Sequence, residues 1–185
     1  MIKIKLNEVV VELTDLLLGK LERYIQNVGD NESGGILVGG FIPAENKYVI
    51  TEASVPCSKD VCGRTFFIRD RENAQKIINK IWKDSKGTIN YLGEWHTHGC
   101  EMPFPSSTDK RLLRIIMKDR SNVWNEAFIL IVGRNNTYYI GMTNIESKGK
   151  IVAEISFRRE VLTLILRGSL QTLHGAVQSD LGLVI

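Results

Sequence analysis

Short strand-like runs alternate with helically spaced apolar runs along this chain, and that alternation restricts it to a mixed α/β domain with a central sheet. Residues 2–6 alternate in polarity like a strand. From Glu8 to Ile25 the residues Val11, Leu13, Leu17, Leu18, Leu21 and Ile25 recur at helical steps, and the turn-forming stretch 27–31 stops them. Ile36-Leu37-Val38, Lys47 to Ala53 and Thr65 to Ile68 read as strands, with a loop from Ser54 to Arg64. Arg69 to Ser85 reads as a helix with Ala74, Ile77, Ile78, Ile81 and Trp82 on one face. Ile89 to His98 reads as a buried strand. The segment 99–105 contains Pro103 and Pro105 and reads as a loop, followed by a helix from Ser106 to Lys118. Ala127 to Val132 is wholly apolar, turns through Gly133-Arg134-Asn135-Asn136 and pairs with Thr137 to Met142 as a hairpin. Lys150 to Phe157 is the last predicted strand. Residues 158–185 read as a helical extension to a domain spanning 1–157.

Composition narrows the function classes. The 185 residues are 43% hydrophobic and 24% charged, globular proportions that exclude a disordered or fibrous chain. A net charge of +3 is too small and too evenly spread to argue for nucleic-acid binding. Three cysteines, an odd number in a chain that needs no staples, fit a reducing cytoplasm. There is no signal-peptide pattern and no apolar stretch of membrane-spanning length, so a soluble cytoplasmic protein is expected.

The chemistry concentrates at two histidines. His96 and His98 are two apart in a predicted strand, so both imidazoles project from one face and can converge on a metal ion. Asp109, one loop away in the first turn of the next helix, is the nearest strong third ligand. Ser106 and Asp109 by themselves spell a helix-capping box, and a lone His-x-His pair is most simply structural. The combination His-x-His, seven residues, Ser-x-x-Asp is far rarer by chance than either part.

That combination resembles the signature of the JAMM metalloproteases, also called the JAB or MPN-plus family. The segment Glu32-Ser-Gly-Gly-Ile-Leu-Val-Gly is similar to the family's upstream Glu-x-Gly-Gly-x-Leu-x-Gly. The run Tyr91 to His98 and the Phe-x-Arg-Asp run Phe67 to Asp70 resemble a bacterial subgroup known from integrative and conjugative elements. The resemblance covers roughly residues 8–145. It departs at Gly99, where the family usually has proline, which loosens the loop and removes no ligand.

The resemblance implies a single JAB/MPN domain with a cytidine-deaminase-like mixed sheet flanked by helices. It implies one Zn²⁺ per chain held by His96, His98 and Asp109, with water as the fourth ligand. Glu32 is then the general base and acid, and Ser106 the donor to the oxyanion. The implied activity is zinc-dependent peptidase or isopeptidase cleavage after the C-terminal glycine of a ubiquitin-like modifier, with no covalent acyl-enzyme. Relatives of this kind resemble deconjugases found beside activating and conjugating enzymes in antiphage operons, which would make those enzymes partners. Three alternatives stay open: hydrolysis of a sulfur-carrier protein adduct, a RadC-like nucleic-acid-associated role, and a non-catalytic MPN scaffold.

Other residues carry open readings. Glu94 faces the same side as His96, either as partner to a histidine or as a salt-bridged strand residue; Trp95 faces away, into core. Cys100 could ligate the metal or gate it by oxidation, and the reading adopted is a bystander, since Gly99 lets the chain turn there. Cys57 and Cys62 would need Cys100 and His174 to complete a structural zinc site, so their loop is read instead as an insertion contacting a protein substrate. Leu162, Leu166, Leu170, Leu173 and Val177 form a tail stripe that either joins the core or, if exposed, mediates dimerisation or docking to a conjugating enzyme.

Overall fold

The computed structural model describes residues 1–119 and 124–159. Strands β1 (Ile2–Leu6) and β2 (Val9–Leu13) form a hairpin through a turn at Asn7, whose φ of 54° suits asparagine. Helix α1 (Asp15–Leu21) follows, capped by the Thr14 hydroxyl, which accepts from the Leu17 amide. The helix expected from Glu8 is therefore half strand. Val9-Val10-Val11 is β-branched and pairs with both β1 and strand β4 (Lys47–Ala53), and these pairings override a helical spacing that begins properly only at Thr14.

Strand β3 (Gly34–Ile42) precedes β4. A two-stranded hairpin, β5 (Val61–Gly63) and β6 (Phe66–Ile68), stands apart from the main sheet, so the predicted loop 54–64 ends in a short strand. Helix α2 (Arg71–Asp84) is capped by Asp70, strand β7 (Asn90–Thr97) carries the first histidine, and helix α3 (Ser107–Lys118) is capped by Ser106. Strands β8 (Glu126–Val132), β9 (Thr137–Asn144) and β10 (Ile151–Arg158) complete the described chain. The tail stripe, His174 and the extension beyond Arg159 lie outside the described residues.

The main sheet has the order β1-β2-β4-β3-β7-β8-β9-β10, with parallel pairs at β2/β4 and β7/β8. It curls enough for Asn7 Nδ2, beside β1, to donate to the Val152 carbonyl of β10 at 3.3 Å. One face packs against α1 through Leu17, Leu18 and Leu21 with Leu37, Trp95, Phe128 and Leu130. The other face is covered by α3 on Ile129, Ile131 and Tyr139, and by α2 on Ile36 and Val38. Strand β8 is buried on both faces, which is why its sequence is apolar without alternation.

Strand β7 contains a bulge. Leu37 pairs with Gly93 and Val38 with Tyr91, so Leu92 is the extra residue. Gly93 is required there: its φ is 148°, and a Cβ would stand 1.9 Å from the Phe128 carbonyl oxygen. The bulge reverses the alternation. Leu92 joins Trp95 on the α1 side, while Tyr91 turns to the α2/α3 side that also carries Glu94 and His96.

Candidate functional site

The site lies where the central strand β7 ends and α3 begins. Strand β7 runs parallel to β8, and the His98 amide extends that ladder by donating to the Val132 carbonyl at 2.9 Å. On the other side the Thr97 amide donates to the Ser33 carbonyl at 2.8 Å, and the Ser33 amide donates to the Thr97 hydroxyl at 2.9 Å. This reciprocal pair holds the segment with Glu32 beside the histidines. The loop from 99 to 105 is fixed by the Arg134 amide on the Cys100 carbonyl at 2.7 Å and by the burial of Pro103. Gly99 therefore stands in a loop that other contacts restrain.

The first turn of α3 is a complete capping box. The Ser106 hydroxyl accepts from the Asp109 amide at 3.2 Å, and the Ser106 amide donates to Asp109 Oδ2 at 2.6 Å. The box aims the Asp109 carboxylate at the histidines. His96 Nε2 is 3.1 Å from His98 Nε2 and 3.3 Å from Asp109 Oδ1, and His98 Nε2 is 3.7 Å from Asp109 Oδ2. Nitrogen and oxygen ligands about 2.0–2.1 Å from a tetrahedral ion stand about 3.3–3.4 Å apart, so the three groups are spaced to hold one divalent metal. Among the described residues they are also the one group of three or more such side chains close enough to share an ion.

Electrostatics separates the two acids at the site. Burial works against ionisation of Asp109, but His96 and the Ser106 amide outweigh it and hold its carboxyl well below the usual carboxylate range. Burial, with some help from Asp109 and opposed by His96, pushes the Glu32 carboxyl up to about 7. Glu32 is only 7% exposed. Burial and His96 lower the His98 imidazole, which favours the neutral form a metal binds. The site thus offers an ionised ligand, a His98 imidazole biased toward its neutral form and an acid poised near neutrality.

These side chains line a cleft of about 410 Å³ between the β5–β6 hairpin and α3, with Phe66, Phe67, Ile68, Leu112 and Ile115 as apolar walls. Phe67 packs directly over Gly34, where a Cβ would come within 2.5 Å of its ring. The close approach explains a glycine at the start of β3.

All five candidate residues, Glu32, His96, His98, Ser106 and Asp109, border this cleft. Glu94 resolves into the ion-paired alternative. Its buried carboxylate is gripped by Arg69 through Nε at 2.9 and 3.0 Å and Nη2 at 2.8 Å, and receives the Tyr91 hydroxyl at 2.8 Å. Trp95 is core, its indole donating to the Ser54 carbonyl at 2.9 Å. Cys100 is exposed and stands outside the group of potential ligands, as do Cys57 and Cys62. Three residues had no role in the sequence reading: Arg69, Tyr91 and Thr97. The signal for Arg69 was its place in the Phe-x-Arg-Asp run. Tyr91 was hidden by the bulge, which moves it to the face that strand alternation denies it.

Residues 18–146 match the profile of prokaryotic homologs of the JAB domain. A CD-NTase/cGAS isopeptidase of Vibrio cholerae is 34% identical over 110 residues, covering 60% of this chain and 66% of the relative. A probable metalloprotease of Sinorhizobium fredii is 37% identical over 90 residues, covering 48% and 54%. The chain thus spans between about half and two thirds of these relatives. The solution structure of a Desulfitobacterium hafniense protein superposes with a TM-score of 0.53 over 80% of this chain and 90% of that one, at 14% identity, a likeness of fold alone. The matched span contains all five of the residues that converge on the cleft.

Proposed function

Because this chain belongs to the prokaryotic JAB family, we propose that it is a zinc-dependent isopeptidase that cuts after the C-terminal glycine of a ubiquitin-like modifier. The observation that carries the reading is the convergence of His96, His98 and Asp109 in one cleft with a buried, near-neutral Glu32. Imidazole and carboxylate donors at these spacings suit Zn²⁺, one per chain.

A zinc ion held by His96, His98 and Asp109 would supply Lewis acidity at the scissile carbonyl and to an attacking water. Glu32 takes the proton from that water and passes it to the departing amine, a task for which a carboxyl near neutrality is matched. The Ser106 oxygen is occupied as an acceptor by the Asp109 amide, so its hydroxyl proton stays free to donate to the developing oxyanion. The serine therefore caps the helix and serves the reaction at once. Phe67 and its neighbours narrow the approach, which favours a slender glycine tail over a bulky one.

The relatives' name supports an isopeptide bond as the target and makes a CD-NTase or cGAS-like protein the candidate conjugate partner. We extend the reading to an antiphage role beside activating and conjugating enzymes. We place the protein in the cytoplasm, where its three free thiols stay reduced. The scaffold reading is disfavoured because every ligand position is filled by a competent side chain. The test is metal content measured beside cleavage of a fusion between the modifier and a reporter, with and without chelator. About one zinc per chain and chelator-sensitive cleavage after the terminal glycine are expected. Zinc without cleavage of that bond rejects the substrate, and a metal-free, inactive protein rejects the enzyme.

A further inference from the structure

We infer that the substrate segment lying along the cleft between the β5–β6 hairpin and α3 carries acidic side chains close to the scissile bond. The inference rests on the hydrolase reading above and adds the charge of the chain being cut. Three arginines, Arg69, Arg71 and Arg111, border the cleft together with the acids Glu32, Glu94 and Asp109. Glu94 is paired with Arg69 and Tyr91, Asp109 is held by the Ser106 amide beside the histidines, and Glu32 is buried.

The arginines are not matched in the same way. Arg69 spends Nε and Nη2 on Glu94. It also interacts with the Tyr91 hydroxyl, so Arg69 stands at the cleft as a rigidly held cation. Arg71 and Arg111 are exposed, and neither makes a hydrogen bond or ion pair among the described residues. Arg71 is also the first residue of α2, the end of a helix where a cation is disfavoured by the dipole, so helix stability does not explain it.

The surroundings say what such charges would meet. Phe66, Ile68 and Ile115 are 45%, 60% and 60% exposed and give the cleft an apolar bed. A second hollow between α2 and α3, walled by Ile78 and Trp82 and bordered by Asp119, shares Arg69, Arg71, Leu112 and Ile115 with the first. The two hollows adjoin at these residues, on the side of the cleft away from the metal-ligand group. An apolar floor flanked by cations fits an extended peptide with interspersed acidic and aliphatic side chains. A nucleic acid would need a broader basic surface than a chain of net charge +3 presents.

The experiment uses the full zinc-loaded chain and short fluorescein-labelled peptides with a central Gly-Gly, carrying Glu, Gln or Lys just before it. Binding is read by fluorescence anisotropy on the Glu32→Ala variant, which removes the proposed base, and cleavage on the unaltered protein. The glutamate peptide is expected to bind about tenfold more tightly than the lysine peptide, roughly threefold for each exposed arginine. In the background of Arg71→Glu with Arg111→Glu the preference should reverse, which a damaged fold would not produce. Equal binding of the three peptides, a lysine preference in the unaltered protein, or equal competition by a single-stranded oligonucleotide overturns the inference. Preferential binding of the glutamate peptide without cleavage upholds it and rejects the glycine-specific hydrolase. Cleavage of all three at one rate with no binding preference does the reverse.

Discussion

The two walls of the cleft are built on different principles. One is the end of β7 with the start of α3: its histidines and aspartate hang from a central strand hydrogen-bonded on both sides and from a closed capping box. The other is the β5–β6 hairpin, three residues per strand, outside the main sheet. It is tethered by the Glu32 amide on the Gly63 carbonyl at 2.8 Å, by Gln26 Nε2 on the Arg64 carbonyl at 3.0 Å, and by Phe67 on Gly34. The first wall fixes reacting groups within fractions of an ångström, as metal chemistry demands. The second exposes Val61, Phe66 and Ile68 and is shaped to meet another chain.

Substitutions on the two walls should therefore fail differently. The largest effect is expected from Asp109→Ala, which removes a ligand and half of the capping box. It should lose both metal and turnover, read by metal analysis and cleavage rate. Glu32→Ala should abolish turnover while keeping the metal, and retained activity would break the assignment of the base. Ser106→Ala should slow turnover about a hundredfold through loss of the oxyanion donor. It should cost about 1 kcal/mol in stability from the lost cap, measured by denaturant unfolding. On the hairpin wall, Phe66→Ala should leave the melting temperature and metal content unchanged and raise KM several-fold with little change in kcat. An equal fall in kcat would mean that the hairpin also orients the reacting groups.

A pH experiment sharpens the contrast between the two acids. In metal-free protein the Glu32 carboxyl, raised by burial to about 7, binds its proton more tightly than in the unfolded chain at 4.5. Its stabilising contribution is thus complete below pH 4.5 and is lost as pH climbs through 7, a change on the order of 3 kcal/mol. Glu32→Gln should remove that slope, as should a bound divalent cation. Asp109 has the opposite sign, since its lowered pKa makes it stabilising at neutral pH and weaker in strong acid. Unfolding curves from pH 4 to 8 on the metal-free protein and the glutamine variant check this; identical slopes would refute it.

The precise wall was the legible one. His96, His98, Ser106 and Asp109 lie within fourteen residues on one strand, one loop and one helix start, so local periodicity and capping rules place them together. Glu32 could be found only by resemblance, because its position depends on β3 lying beside β7, a pairing between distant segments. The first helix was over-extended into Val9–Leu13 for the same reason. The β2 partners Lys47 to Ile50 are more than thirty residues away, and nothing local announces them. The hairpin wall was harder still, since three-residue strands give no periodicity to read. Arg69 and Tyr91 depended on a salt bridge across 25 residues and on an irregular strand.

That irregularity gives β7 two reading frames. Ahead of Leu92 the strand is in one phase, and from Gly93 onward it is in the other, so the histidine end and the Tyr91 end are set independently. Deleting Leu92 would restore a regular ribbon and leave the metal ligands in register with β3 and β8. Tyr91 would then stand two positions from Glu94 in regular alternation and keep its hydroxyl on that carboxylate, while the α1-side core would lose the Leu92 side chain. A single extra residue thus lets the strand give Leu92 to the core on one face without disturbing the metal scaffold or the Tyr91 brace on the other.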